Sequence, residues 1–308
     1  MLQPLTEEAV ATDSDRDVLP AVHRIRDRRG TRHVGQPRLP QRLAVRRVVC
    51  GEVPIESARE QHAAGRREHA ARLRRALAFR PERLARREVH GFEPAVAAVA
   101  VEARADAAVV LWCHGNAGTV INRLENLREL CRLRLSVFLF DYRGYGRSQG
   151  RPSEDGLYQD AIGAYDYLTR VRQIRPERIV IFGRSLGAAV ATDLASMKPA
   201  SGLILESPFP SIAAVARHHY GGMPVHWLLG AEFRLIDRLP QLSLPKLVIH
   251  GDRDDIIPIE FGRQVFEAAK PPKQWYAIAG ADHNNTYQVG GKAYFLQVAD
   301  FIRNALAA

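Results

Sequence analysis

The sequence predicts an α/β protein in which a doubly wound, mostly parallel sheet forms the core of the second two thirds of the chain. From residue 108 onward, short apolar runs alternate with amphipathic stretches, and turn residues separate them. The apolar runs lack polar alternation, which is typical of strands buried on both faces of a parallel sheet. The chain has 308 residues, 46% apolar and 25% charged, so it has the length and composition of a globular protein with a large core.

Six apolar segments are predicted to be the strands: residues 109–113, 136–140, 178–182, 203–205, 247–249 and 274–278. Helical spacing of leucine and valine predicts a helix within residues 116–134. Ser153 is expected to cap a helix that runs to about residue 171. Two more helices are expected, one over residues 185–196 and a closing one over about 291–306.

Residues 1–107 lack this alternation, so we expect the chain to divide near residue 107 into an N-terminal region and a catalytic domain over residues 108–308. The N-terminal region shows only an amphipathic stretch over residues 57–84 and an apolar run over residues 96–101. It is rich in Arg, Ala, Val and His and has no Lys, Tyr or Trp, a composition typical of GC-rich DNA read in another frame. We interpret it as either disordered or frame-shifted.

The net charge is +10, and the basic excess is concentrated in the N-terminal third. A basic face attracts nucleic acid or anionic lipid. However, no aromatic residues that could stack on bases are interleaved with these arginines, so we expect no nucleic-acid partner and interpret them as a solvated surface. A catalytically inactive protein whose N-terminal region binds anionic surfaces or nucleic acid is the alternative function.

The location expected from the sequence is the cytoplasm. The sequence has neither an apolar run long enough for a transmembrane segment nor an N-terminal signal sequence. Its three cysteines, Cys50, Cys113 and Cys131, fit neither a disulfide framework nor a paired zinc motif, which indicates a reducing compartment. No metal-binding or nucleotide-binding motif occurs, so no metal or cofactor is expected.

A candidate nucleophile lies in residues 183–187 (GRSLG), which fit the pattern G-x-S-x-G. The segment lies between a predicted strand and a predicted helix, the context that this motif requires. The sharp turn is expected to expose the Ser185 hydroxyl above the sheet, while the N–H groups of the helix N-terminus face any negative charge that forms there. A glycine-rich turn with an incidental serine is the alternative.

A serine nucleophile needs a base, and the base needs an orienting acid. Three carboxylates cluster in residues 250–258 (HGDRDDIIP), directly after a predicted strand. Asp254 is the predicted acid, because Asp252 lies within the turn and Asp255 is placed to cap the next helix.

The predicted base is His283, which lies in the polar turn 280–285 (GADHNN) after the last predicted strand. A solvated loop histidine is the alternative, but the position behind a strand end favours a functional role. Ser185, Asp254 and His283 also occur in the chain order that is typical of one class of serine hydrolases.

The oxyanion of a tetrahedral intermediate needs two N–H donors. The amide of Leu186 is one candidate, and the amide of Asn116 in the glycine-rich turn 114–118 (HGNAG) is the other. His114 is expected to pin this turn by a side-chain hydrogen bond and is not assigned a catalytic role. Residues 141–148 (DYRGYGRS) do not fit a dinucleotide fingerprint and are interpreted as a wall of the cleft.

The motifs HGNAG, DYRGYGRS, GRSLG, HGDRDDIIP and GADHN together resemble the α/β-hydrolase superfamily over residues 108–308. They are most similar to the serine-aminopeptidase-like and protein-depalmitoylating serine hydrolases. The resemblance implies a triad of Ser185, Asp254 and His283, with Asn116 and Leu186 as oxyanion donors.

The resemblance also implies the α/β-hydrolase fold with a short helical cap over about residues 208–240. It further implies hydrolysis of a small-molecule ester, thioester or amide through an acyl-enzyme, as in carboxylesterases and thioesterases or in peptidases. Members usually carry an antiparallel hairpin before the HGNAG strand, and residues 85–107 show no clear sequence signal for it.

Overall fold

A computed structural model describes residues 43–49, 96–102, 107–221 and 231–308, with backbone only for the first two segments. Within these residues, eight strands form one sheet in the order β1-β2-β4-β3-β5-β6-β7-β8. The strands are β1 (Leu43–Val49), β2 (Val96–Glu102), β3 (Val109–Cys113), β4 (Ser136–Phe140), β5 (Ile179–Arg184), β6 (Gly202–Glu206), β7 (Lys246–Gly251) and β8 (Lys273–Ile278).

Strands β3 to β8 are mutually parallel and form the body of the sheet. They occupy the six predicted apolar segments, so the predicted fold class is confirmed. The apolar run over residues 96–101 lies in β2, which pairs antiparallel with β4.

The helices are α1 (Leu124–Arg132), α2 (Glu154–Asp166), α3 (Leu186–Met197), α4 (Ile212–Tyr220), α5 (Leu235–Arg238), α6 (Ile259–Ala268) and α7 (Thr286–Ala307). Ser153 caps α2 as predicted, because its hydroxyl accepts a hydrogen bond from the Gly156 N–H at 3.2 Å. The closing helix begins earlier than predicted, at Thr286. Gly291, with φ 49°, bends it, and this is the residue at which the sequence pattern places the helix start.

The core lies on both faces of the sheet, because neighbouring strand residues point to opposite sides. Leu111 belongs to a buried cluster that includes side chains of α2 and α3. Val110 and Trp112 belong to a second buried cluster, which includes side chains of α1 and α7. Burial on both faces explains why the central strands are apolar except at their ends.

The N-terminal edge of the sheet differs from the hairpin that the resemblance implied. Strands β1 and β2 are parallel to each other, in register from Leu43 opposite Val96 to Val49 opposite Glu102. Parallel neighbours need a long crossover connection, so these strands are separated in the sequence by residues 50–95. The amphipathic stretch over residues 57–84 and residues 1–42 of the region interpreted as disordered or frame-shifted lie outside the described residues. The sheet contains strands from both sides of residue 107. The division of the chain near this residue stays a prediction.

The cysteines differ from the sequence-based expectation. Cys113 is a free, buried thiol, whereas Cys131 is disulfide-bonded, which the cysteine spacing in the sequence did not predict. Disulfide pairing depends on the distance between two residues in space, which cysteine spacing in the sequence does not reveal. In the part of the chain that the structure describes, no helix is both long and apolar enough to span a membrane.

Candidate active site

Ser185 lies in the sharp turn between β5 and α3. Its backbone has φ 54° and ψ −120°, a strained conformation for a residue with a side chain. The Ser185 N–H donates to the Glu206 carbonyl oxygen at 2.8 Å, which holds the turn against β6. A Cβ atom on Gly187 would collide with the Cys113 carbonyl, and one on Gly183 would collide with the Gly187 carbonyl. The two glycines of the motif therefore allow α3 to start directly against β3 and β5.

The structure brings the three residues of the predicted triad into one hydrogen-bonded chain. The Ser185 Oγ lies 3.0 Å from His283 Nε2, and His283 Nδ1 lies 2.7 Å from Asp254 Oδ2. The other carboxylate oxygen of Asp254 accepts the N–H groups of Ile256 at 3.1 Å and Ile257 at 2.7 Å. An ionised Asp254 accepts the proton of Nδ1, which leaves Nε2 free to accept the proton of the Ser185 hydroxyl.

The electrostatics of Asp254 favour its ionised form. Burial by itself raises the pKa of this carboxyl group, but hydrogen bonds from His250, His283 and the Ile257 N–H outweigh burial and hold the pKa well below its usual range. His250 Nε2 lies 2.8 Å from the Ile257 carbonyl oxygen and 3.4 Å from Asp254 Oδ2, so this nitrogen carries a proton. Sequence analysis missed His250, although a histidine at the end of an apolar strand is a recognisable signal.

The two other carboxylates of the cluster have different surroundings. Asp252 and Asp255 are exposed, and Asp252 accepts the Gly280 N–H at 2.6 Å. Helix α6 begins at Ile259 with Pro258 as its N-cap residue, so the expectation that Asp255 caps it was wrong. Three residues, Ile256 to Pro258, separate Asp255 from the first residue of the helix.

The glycine-rich turn 114–118 lies directly against the nucleophile turn. A Cβ atom on Gly115 would lie 3.3 Å from Ser185 Cβ, so this backbone approaches the serine closely. The next residue, Asn116, is exposed, and its side-chain oxygen accepts the Tyr145 hydroxyl proton at 2.6 Å. Leu186 follows the serine as the first residue of α3. The oxyanion roles of the Asn116 and Leu186 amides stay predictions.

His114 and Asp141 form a second buried His–Asp pair at the ends of β3 and β4. His114 Nδ1 lies 2.8 Å from the Gly115 carbonyl oxygen, in agreement with the prediction that His114 pins the turn. Its Nε2 lies 3.5 Å from Asp141 Oδ1 without a hydrogen bond, and that oxygen accepts the Val120 N–H at 2.8 Å. Burial lowers the pKa of His114 to about 4 and raises the pKa of Asp141 to about 6.

The predicted cap, residues 208–240, contains α4 and α5, and its middle lies outside the described residues. Its two ends are joined where the Ile212 N–H donates to the Glu232 carbonyl at 2.9 Å. Glu154, at the start of α2, accepts the Phe233 N–H at 2.9 Å and so anchors the returning end. Among the described residues, no group of three or more His, Cys, Asp or Glu is arranged to hold a metal ion.

The proteins to which this chain is similar agree with the geometry of its fold and site. The family model for serine aminopeptidases, S33, matches residues 104–230. The uncharacterized protein Rv2307c of Mycobacterium tuberculosis is 42% identical over 193 residues, which cover 63% of this chain and 69% of that protein. The chain belongs to the α/β-hydrolase superfamily. Its six parallel strands and the helices that flank them match the fold of solved structures of similar shape.

This α/β-hydrolase is also similar to proteins that carry a functional name. The lysophosphatidylserine lipase ABHD12 of Danio rerio is 34% identical over 185 residues, which cover 54% of this chain and 48% of that protein. The structure of the Pyrococcus furiosus esterase Pf2001 matches with a TM-score of 0.56 at 21% identity, over 66% of this chain and 85% of that one. The structural match shows the fold, and membership of the superfamily identifies the protein as a hydrolase.

Proposed function

We propose that this α/β-hydrolase cleaves carboxylic esters through an acyl-enzyme formed on Ser185. The observation that carries the proposal is the continuous chain from the Ser185 hydroxyl through the His283 imidazole to the Asp254 carboxylate, at 3.0 and 2.7 Å. A base within hydrogen-bonding distance of the nucleophile, itself oriented by an acid, is the arrangement that serine catalysis needs.

In the acylation step, the Ser185 oxygen attacks the ester carbonyl while His283 Nε2 takes its proton. Asp254 stabilises the resulting imidazolium and keeps the ring in the orientation that faces the serine. The carbonyl oxygen becomes an oxyanion, and the Asn116 and Leu186 amides are its proposed donors. When the tetrahedral intermediate collapses, the bond to the alkoxy group breaks and His283 returns the proton to the leaving alcohol.

In the deacylation step, water takes the place of the leaving alcohol. His283 Nε2 accepts a proton from the water, the hydroxide attacks the acyl carbon, and a second tetrahedral intermediate forms. Its collapse releases the carboxylic acid and returns the proton from His283 to Ser185, so the enzyme is restored without any cofactor.

The substrate class that we propose is an ester with an apolar acyl group. Large apolar side chains of Tyr220 and Ile256 are exposed, one at the end of α4 and the other two residues after Asp254. His219 of α4 lies 2.8 Å from the Ile256 carbonyl oxygen, so the end of α4 lies against the turn that follows Asp254. A lipase and an esterase among the similar proteins agree with this choice.

The test is labelling of the full-length protein with a fluorophosphonate probe beside Ser185→Ala, followed by hydrolysis of p-nitrophenyl esters from acetate to decanoate. We expect stoichiometric labelling that disappears in the variant, and faster turnover of esters than of matched thioester and anilide substrates. A folded wild-type protein that neither labels nor hydrolyses any of these substrates would overturn the proposal. Salt-dependent retention of that inactive protein on heparin would then favour the anionic-surface alternative.

A further inference from the structure

A buried ion pair lies behind the proposed base and takes no part in the triad. Arg184 ends β5 directly before the serine, and Glu206 ends the neighbouring strand β6. The Arg184 Nε donates to Glu206 Oε1 at 3.1 Å, and both side chains are buried, with exposures of 6% and 0%. Charged side chains at the end of otherwise apolar strands are costly to bury, so their contacts need an explanation.

Both carboxylate oxygens of Glu206 are engaged by helix α7. The Thr286 hydroxyl donates to Oε1 at 2.6 Å, and the Tyr294 hydroxyl donates to Oε2 at 2.5 Å. The main-chain carbonyl of Glu206 meanwhile accepts the Ser185 N–H at 2.8 Å. One residue therefore holds the nucleophile turn through its backbone and the first turns of α7 through its side chain.

Arg184 connects the same pair to the loop that carries the proposed base. Its Nη2 donates to the His283 carbonyl oxygen and lies 3.5 Å from the Asn284 side-chain oxygen. Arg184 thus contacts the backbone of His283 on one side and is covalently joined to Ser185 on the other. The Arg184 guanidinium and the Glu206 carboxylate together form a bridge between Ser185 and His283. These are the two residues whose Oγ and Nε2 atoms lie 3.0 Å apart in the site.

Stability alone is a weak explanation for this bridge, because apolar residues of similar volume often replace a buried ion pair without loss of stability. An ion pair does, however, impose directions and distances that apolar contacts do not impose. Here the Arg184 side chain donates to the His283 carbonyl. The main chains of the same two residues hold the nucleophile turn, because Arg184 precedes Ser185 and the Glu206 carbonyl accepts the Ser185 N–H.

We propose that Arg184 and Glu206 are positioning residues that set the distance between Ser185 Oγ and His283 Nε2, an inference that rests on the proposed serine hydrolase function. Thr286 and Tyr294 extend the bridge into α7. Because proton transfer requires heavy atoms within about 3 Å, a shift of the His283 loop slows both acylation and deacylation.

The experiment measures two quantities that a folding role and a positioning role affect differently. Reaction with a fluorophosphonate probe gives a rate constant for each reactive site and a final stoichiometry for the fraction of protein that is folded. For Arg184→Lys and Glu206→Gln we expect the rate constant to fall roughly 10- to 100-fold, as misplacement of a catalytic group does. We expect the stoichiometry to stay near that of wild type, and kcat for an ester to fall while KM changes little.

Thr286 provides the matched control, since valine keeps the shape of threonine but lacks its hydroxyl. Thr286→Val is expected to lower the rate constant less than Glu206→Gln does, and Thr286→Ser is expected to restore it. These variants keep the test decisive if Glu206→Gln fails to fold.

Rate constants equal to wild type in Thr286→Val and in each folded variant of the ion pair, with only the stoichiometry reduced, would overturn the inference. Failure of the proposed function is a different result. In that case the wild-type protein itself does not label, or Ser185→Ala still does.

Discussion

Two buried His–Asp pairs lie at the carboxyl edge of the sheet. The pKa of the carboxyl group is lowered in one pair and raised in the other. The His283–Asp254 pair has a ring nitrogen 2.7 Å from the carboxylate, and the pKa of Asp254 is held well below its usual range. In the His114–Asp141 pair, the ring nitrogen lies 3.5 Å from the carboxylate, and the pKa of Asp141 is raised to about 6.

Hydrogen-bond donors account for the difference. Both carboxyl groups are buried, and burial raises the pKa of each. For Asp254, the effect of burial on the pKa is outweighed by hydrogen bonds from two imidazoles and from the N–H groups of the turn that follows it. Asp141 has backbone donors from Val120 and Arg147 but no close ring donor, because His114 directs Nδ1 to its own turn. The same two residue types therefore give an ionised carboxylate that orients an imidazole in one place and a loop anchor in the other.

Removing the charge of each carboxylate tests this contrast most strongly. Asp254→Asn is expected to lower kcat by about 10,000-fold, because the amide no longer orients the imidazole with Nε2 free for the Ser185 proton. Asp141→Asn keeps an oxygen acceptor for the Val120 N–H, so we expect its loss of kcat to be below about tenfold, as for one neutral hydrogen bond. Ester hydrolysis measured per active site, with the site concentration from probe titration, makes the comparison. Equal losses in the two variants would show that the two pairs are equivalent.

Removing one donor from Asp254 has a smaller effect. His250→Met is expected to lower the free energy of unfolding at pH 7 by about 2 kcal/mol, the range for a hydrogen bond to a charged group. A depressed carboxyl pKa adds stability that is present above the unfolded pKa and is lost as pH falls through the folded pKa. Loss of the donor raises the folded pKa, so the variant should also unfold at a higher pH during acid titration.

Urea unfolding at pH 7 and acid unfolding followed by circular dichroism measure both effects. His250→Gln is the control, since its amide can still donate towards Asp254. An acid midpoint of His250→Met that equals that of wild type would contradict the role of His250 as a donor.

The smallest expected effect is the pH dependence of the His114–Asp141 pair. Because the pKa of Asp141 is raised from 3.8 to about 6, the native state binds more protons than the unfolded state, and this contribution to stability falls as pH rises between these values. The pKa of His114 is lowered from 6.5 to about 4, so its contribution rises with pH over nearly the same range. The two contributions oppose each other in the wild-type protein.

Asp141→Asn removes the falling contribution, so its stability should rise more steeply with pH between 4 and 6.5 than that of wild type. His114→Gln removes the rising contribution, so the stability of this variant should rise less steeply with pH than that of wild type. Thermal melts across this pH range measure both slopes. Parallel curves for the two variants would show that neither group titrates in this way.

Much of the fold was predictable because burial leaves a direct trace in the sequence. Strands β3 to β7 are buried at every residue, and the turn at Ser185 carries glycines on either side of it. The N-terminal edge was less predictable. A parallel β1–β2 pair joins segments that residues 50–95 separate, and no local pattern specifies such a pairing. The disulfide bond of Cys131 depends in the same way on proximity in space.

By itself, the sequence determined the sheet and the position of polar turns at its carboxyl edge, because the periodicity of apolar residues and the glycines of tight turns are local properties. The sequence also singled out His283 and Asp254, but only the tertiary structure decided the distances that join them to Ser185 and that Arg184 and Glu206 link the two loops. Those outcomes depend on distances of about 3 Å between residues far apart in the chain, and on the burial that sets their pKa values.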